Sequence, residues 1–156
     1  LKSKRFIDYN KVANVYRDCK LTFQAEKEVF PMKRTVATNK APDAIGPYSQ
    51  GIIAGNLVFT SGQLPMDPET GNLVEHQIEL QTRRALLNLK AVLEEAGSGM
   101  EKIVKTTVFL SDMGNFVKMN EVYKEFFADD FPARSAVQVA RLPKDAMVEI
   151  EAVAII

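Results

Sequence analysis

The sequence predicts an α+β fold: a mixed β-sheet carrying two helices on one face, in the order β-β-α-β-α-β-β. Two stretches repeat apolar residues at three- and four-residue spacing, the signature of amphipathic helices. Other, shorter stretches are rich in β-branched residues or alternate in polarity, as strands do. At 156 residues the chain is long enough to bury one proper core.

Taken in order, Gly51-Ile-Ile-Ala-Gly and Asn56-Leu-Val-Phe-Thr-Ser-Gly read as two strands joined by a tight Gly55-Asn56 turn. Gln63 to Gly71 contains Pro65, Pro68 and Gly71 and reads as a loop. A long helix follows, from about Glu75 to Ala96. Ile78, Ala85, Leu86, Leu89, Val92, Leu93 and Ala96 form its apolar face, and Gly97 is placed to end it. Lys102 to Leu110 is a strand. Asp112 or Asn115 caps a second helix, Phe116 to Ala128, with Phe116, Met119, Tyr123, Phe126 and Phe127 pointing inward. The chain closes with a hairpin of Ser135–Ala140 and Met147–Ile155 about Pro143-Lys144. That pairing puts Glu149 opposite Gln138, with Arg134 roughly 13 Å along the strand. The sheet face away from the helices is partly apolar, so self-association is expected.

Residues 1–31 differ in character. They are Lys-rich, hold the single cysteine, Cys19, and end at Phe30-Pro31 before Met32. The expectation is an N-terminal upstream extension or cloning-derived segment, with a genuine N-terminal arm as the alternative, followed by one domain over 32–156. Phe6, Tyr9, Ala13 and Tyr16 would allow a short amphipathic helix there.

Composition narrows the function. Lys+Arg and Asp+Glu balance at 20 each, which disfavours nucleic-acid binding by bulk charge. One cysteine permits no intrachain disulfide and fits a reducing, cytoplasmic setting. No apolar stretch approaches the roughly 20 residues that span a bilayer. The chain has neither a Walker A sequence nor a G-x-G-x-x-G. The single histidine, His76, sits in a polar stretch and reads as solvated, so a Cys/His zinc site or a Ser-His-Asp triad is not expected.

Two ionised residues stand out in the closing strands. Arg134 lies at the mouth of the first and Glu149 within the second, between apolar neighbours. Ionised groups are seldom built into such strands without a partner or a task. An arginine fork suits a small carboxylate, so the pair suggests a small-molecule anion site. A structural ion pair at a subunit interface is the alternative that the residues themselves leave open.

Four segments carry a resemblance: Ile45-Gly-Pro-Tyr-Ser-Gln-Gly51, Ser61-Gly-Gln63, Asn120-Glu-Val-Tyr-Lys-Glu-Phe-Phe127, and the closing Pro132-Ala-Arg-Ser…Val-Ala-Arg-Leu-Pro-Lys-Asp…Val-Glu-Ile-Glu-Ala. Together they resemble the Rid/YjgF family, more narrowly the RidA-type enamine/imine deaminases, over nearly all of residues 33–156. The resemblance implies a fold like the Bacillus-type chorismate mutase, a homotrimer with a barrel-like core and three intersubunit clefts. It implies hydrolysis of 2-imino or 2-enamino acids, such as 2-iminobutanoate and 2-iminopropionate, to 2-oxo acids and ammonia, with no cofactor or metal.

Roles follow from the same resemblance. Arg134 binds the substrate carboxylate, helped by the backbone N–H of Ala136, and Glu149 orients or activates the attacking water. Tyr48 lines the cleft, Ser61 and Gly62 form a small turn near the ligand, and Asn120 stands at the pocket wall. Ala136 replaces the cysteine usual in this family, which removes any thiol chemistry at that position. Some relatives are described as translation inhibitors, endoribonucleases or purine regulators, so a non-catalytic ligand-binding trimer is the second expectation.

Overall fold

The computed structural model describes residues 33–128 and 130–156; the expected N-terminal segment lies outside the described residues. The elements are β1 (Arg34–Val36), β2 (Gly51–Ala54), β3 (Leu57–Thr60), α1 (Ile78–Glu95), β4 (Ile103–Leu110), α2 (Phe116–Tyr123), β5 (Ala133–Gln138) and β6 (Val148–Ile155). The six strands form one mixed sheet in the order β1-β2-β3-β6-β4-β5. β1 is an addition to the predicted set; three residues are too few to give a periodic signal in the sequence.

Local chemistry accounts for most boundaries. Gly55 takes φ 62° in the two-residue turn between Ala54 and Leu57, a conformation that costs glycine nothing. α1 ends as expected at Gly97 (φ 79°), where Ser98 N–H bonds to Leu93 O and Gly97 N–H to Glu94 O, the paired closure of a glycine-ended helix. Asp112 accepts from Gly114 N–H at 2.7 Å and caps the short turn leading into α2; Asn115 makes no such bond. α2 stops at Tyr123, earlier than expected, and a tighter turn follows over Lys124–Phe126. Phe127 then turns to extended backbone and packs its ring 4.7 Å from that of Tyr123 in the core.

Both helices cover one face of the sheet. Ile78, Ala85, Leu86, Leu89, Val92 and Leu93 of α1 and Met119 of α2 are buried against Val108, Ile150 and Ala154. Each fully buried leucine contributes about 2 kcal/mol of transfer free energy, so this layer dominates stability. β6 alternates strictly: Val148, Ile150, Ala152 and Ala154 face the helices, while Glu149, Glu151, Val153 and Ile155 face the other way. Phe59 and Ile155 keep that open face partly apolar. Among the described residues no helix is long and apolar enough to cross a membrane.

The closing hairpin is corrected. β5 and β6 are not neighbours, because β4 lies between them. β5 pairs in parallel with β4, setting Arg134 beside Thr106; β6 pairs antiparallel with β4, setting Glu149 beside Phe109. A parallel pair needs a crossover of a dozen or more residues, and the segment 111–132 with α2 supplies it. The 139–147 link then passes from the edge strand over β4 to β6, anchored by buried Leu142 and Ala146. Its turn places Lys144 (φ 56°) and Asp145 (φ 59°) in the left-handed region, braced by the Arg141 guanidinium on the Asp145 carboxylate at 2.6 and 2.9 Å.

Candidate active site

The new register decides where the candidate residues point. Glu149 projects from the open face of β6, whereas Arg134, level with Thr106 and Ala152, projects from the helix face of β5. Within one chain the two groups therefore lie on opposite sides of the sheet and form no ion pair. Each lines its own cavity.

Glu149 lines a cavity of about 540 Å³ with Tyr48, Ser61, Gly62, Pro143 and Glu151. The Ser61–Gln63 segment runs beside β6, where Gln63 N–H donates to Ile150 O at 2.8 Å and Ile150 N–H to Gln63 O at 3.2 Å. Ser61 donates its hydroxyl to Ser49 O at 2.6 Å, so its structural task here is to tie this segment to the Tyr48 loop. Burial first, and the neighbouring Glu151 charge second, push the Glu149 carboxyl above its ordinary proton affinity.

Gly62 is there because nothing larger fits. A Cβ at this position would lie 2.0 Å from Glu149 Oε1 and 2.7 Å from its Cδ. Gly62→Ala should therefore displace the carboxylate rather than unfold the chain, since the clash is with a movable side chain. Were Glu149 to act on a bound molecule, a displacement of this size would cost about 10- to 100-fold in rate. A melting temperature near wild type, with the Glu149 side chain displaced in the variant's structure, is the expected pair of readings.

Two residues that sequence reasoning missed hold this cavity in shape. Gln50 is buried; it accepts from Thr38 N–H at 2.6 Å and donates to Thr38 O at 3.0 Å and Pro42 O at 2.8 Å. It thereby anchors the loop that carries Ile45 and Tyr48. Asn88 donates to Leu64 O at 3.0 Å and Met66 O at 2.8 Å, fixing the chain just after Gly62. A signal for Asn88 exists in the sequence: it falls between Ala85 and Val92 on the apolar stripe of α1, where an amide must find partners. Gln50 gives no such signal, because its burial depends on how the preceding loop folds over it.

Arg134 lines the second cavity, about 360 Å³, with Asn120, Tyr123, Lys124 and Phe131. Its guanidinium lies 4.6 Å from the Tyr123 ring centre and 5.6 Å from that of Phe116. Among the described residues no carboxylate is within ion-pair distance of it, while Lys124 is paired with Glu121. Asn120 Oδ1 is buried without a hydrogen-bond partner among the described residues. Ala136 shares Arg134's face. Val139 N–H donates to Leu110 O across the β4–β5 pair. Backbone donors alternate along a strand, so the N–H of Ala136 points to the free edge. Arg134 and Asn120 thus line one cavity, with Ala136 on the same face of β5, and Tyr48, Ser61, Gly62 and Glu149 line the other.

The Endoribonuclease L-PSP family model matches residues 38–156. The chain belongs to this family. It is 51% identical over 127 residues to the 2-iminobutanoate/2-iminopropanoate deaminase of Salmonella typhimurium, covering 80% of this chain and 98% of that protein. It is 54% identical over 122 residues to a RutC family protein of Pyrococcus abyssi, covering 78% of this chain and 96% of that one. Among solved structures, Escherichia coli TdcF with bound serine superposes with a TM-score of 0.76 at 48% identity, covering 79% of this chain and 98% of that one. RidA from an Antarctic Psychrobacter superposes with the same score at 44% identity, covering 79% of this chain and 99% of that one. Both structures match the mixed sheet with two helices found in this Rid chain.

Proposed function

We propose that this chain hydrolyses small 2-imino and 2-enamino acids to 2-oxo acids and ammonia, in clefts between the subunits of a homotrimer. The observation that carries the reading is the placement of Arg134 and Glu149 on opposite faces of one sheet. A site that uses both needs two copies of the chain, and the partly apolar open face offers the contact surface. A closed ring of three such heterologous contacts would form the barrel core and generate three equivalent clefts. Deaminase relatives at about half identity support the chemistry.

The mechanism follows from the two half-sites. Arg134 of one subunit takes the substrate carboxylate through two parallel hydrogen bonds, and the outward N–H of Ala136 holds the same end. Asn120 and Tyr48 close the walls, while Ser61 and Gly62 keep the floor open beside Glu149. Glu149 of the neighbouring subunit accepts a hydrogen bond from water and directs its oxygen at the imine carbon. The carbon–oxygen bond forms, the nitrogen takes a proton, and collapse of the tetrahedral adduct releases ammonia and leaves the 2-oxo acid. An enamine first takes a proton at C3 to become the imine. An imine carbon is already electrophilic, so positioning and one proton path suffice.

Glu149 and Glu151 side by side on a cavity floor oppose a phosphate backbone, which disfavours the RNA reading that the family name carries. To test the deaminase reading, 2-iminobutanoate is generated in situ and release of 2-oxobutanoate is followed. A rate well above spontaneous hydrolysis is expected. Binding of 2-oxobutanoate without turnover would instead support a regulatory, non-catalytic trimer.

A further inference from the structure

Arg134 meets its ligand, on the reading above, as a cation held in place with no carboxylate partner among the described residues. We propose that Tyr123 is the positioning residue for Arg134: its ring face fixes the guanidinium while leaving charge and N–H donors available to a carboxylate. The inference rests on the assignment of Arg134 as the carboxylate binder and adds how that group is prepared.

A long arginine side chain loses rotamer freedom when it binds, and that loss weakens affinity unless the side chain is ordered beforehand. Proteins often order an arginine with an aspartate or glutamate. Such a partner would neutralise the charge and occupy the fork that a substrate carboxylate needs. An aromatic face attracts the cation electrostatically and uses none of its N–H donors. Here the guanidinium lies 4.6 Å from the Tyr123 ring centre, with Phe116 at 5.6 Å.

The tyrosine is itself immobilised. Tyr123 is only 3% exposed, and its hydroxyl is 2.8 Å from Thr106 Oγ1, which is fully buried. The Phe127 ring packs 4.7 Å away. Thr106 is also the residue beside Arg134 in the β4–β5 register. β4 fixes the ring of α2, and that ring fixes the arginine of β5. One crossover unit therefore contains the whole support.

The test compares wild type with Tyr123→Phe, Tyr123→Leu and Phe116→Leu. Turnover of 2-iminobutanoate and calorimetric binding of 2-oxobutanoate are both measured. Tyr123→Leu should raise KM and Kd about tenfold while kcat stays within about twofold, as expected for a lost cation–π contact at a partly desolvated site. Tyr123→Phe keeps the ring and should hold both constants within about threefold. In the free protein, the Arg134 Cδ protons should show an upfield ring-current shift that Tyr123→Leu abolishes.

An unchanged KM and Kd in folded Tyr123→Leu would overturn the proposal, as would a loss in Tyr123→Phe equal to that in Tyr123→Leu. If Tyr123→Leu fails to fold, Phe116→Leu decides: about a threefold rise supports the aromatic support of Arg134, and no change overturns it. Wild type that binds 2-oxobutanoate without turnover would sink the deaminase reading alone, and Kd then judges Tyr123. Wild type that binds no carboxylate would sink both.

Discussion

Glu149→Gln is expected to lower imine turnover at least 100-fold, leave 2-oxobutanoate binding within about threefold, and raise the melting temperature at neutral pH. The substitution keeps the size of the side chain and removes its ability to ionise. If Glu149 orients water as its carboxylate, the amide still fills the cavity but cannot take the proton. Binding should survive because, on the proposed reading, Arg134 holds the carboxylate end of the ligand from the other face of the sheet.

The stability arm of this expectation comes from the sign of the Glu149 shift. Burial and the Glu151 charge raise the folded-state proton affinity of Glu149 above the unfolded one. Such a group favours folding most below the unfolded pKa, where it is neutral in both states. The benefit is lost as pH rises through the folded pKa, because the folded state then holds an ionised carboxylate in poor solvent. Wild type bears that cost at pH 7 and the glutamine variant does not. The gain in melting temperature should therefore shrink as pH falls through the folded value of Glu149 toward its ordinary 4.5. Thermal melts of both proteins between pH 4 and 8 check this. A glutamine variant less stable than wild type at pH 7 would mean that the carboxylate is a structural ion-pair partner. Among the described residues that line the Glu149 cavity none is a cation, so that outcome would point to one from outside them, as another subunit could supply.

The course of the helices was legible in the sequence because the period of an amphipathic helix is a local property. Every residue assigned to the apolar face of α1, from Ile78 to Ala96, is buried. The partner of each strand is not local. The short link between β5 and β6 invites a hairpin, and only the parallel pairing of β5 with β4 excludes it. That error carried a chemical consequence. In the hairpin register Glu149 faced Gln138, which has the same parity as Arg134, so both groups would have shared one sheet face. In the observed register Arg134 is level with Ala152, and Glu149 turns to the other side. The residue types of the candidate site were readable; the division of Arg134 and Glu149 between opposite faces of the sheet was not. Gly62 shows the same limit at smaller scale, since its lack of a side chain matters only once β6 brings Glu149 within 2.0 Å of where a Cβ would stand.

That division makes a strong prediction about mixtures. Arg134→Ala alone should lose at least 100-fold in kcat/KM, because the carboxylate end of the substrate loses a two-bonded charged partner. Glu149→Gln alone should be similarly inactive. When the two inactive variants are unfolded together, mixed one to one and refolded, activity should return. A cleft built from Arg134 of one subunit and Glu149 of its neighbour is intact whenever a Glu149→Gln chain supplies the arginine side and an Arg134→Ala chain supplies the glutamate side. Random assembly gives one half times one half, so roughly a quarter of wild-type activity is expected. A chain carrying both substitutions gives the control, since mixing it with either single variant restores no intact cleft. If each site instead lay within a single chain, every site in the mixture would carry one lesion and no activity would return. Equal recovery in the control would mean that the variants were never fully inactive. The mixing experiment therefore reads the location of the site directly, independent of which imino acid it prefers.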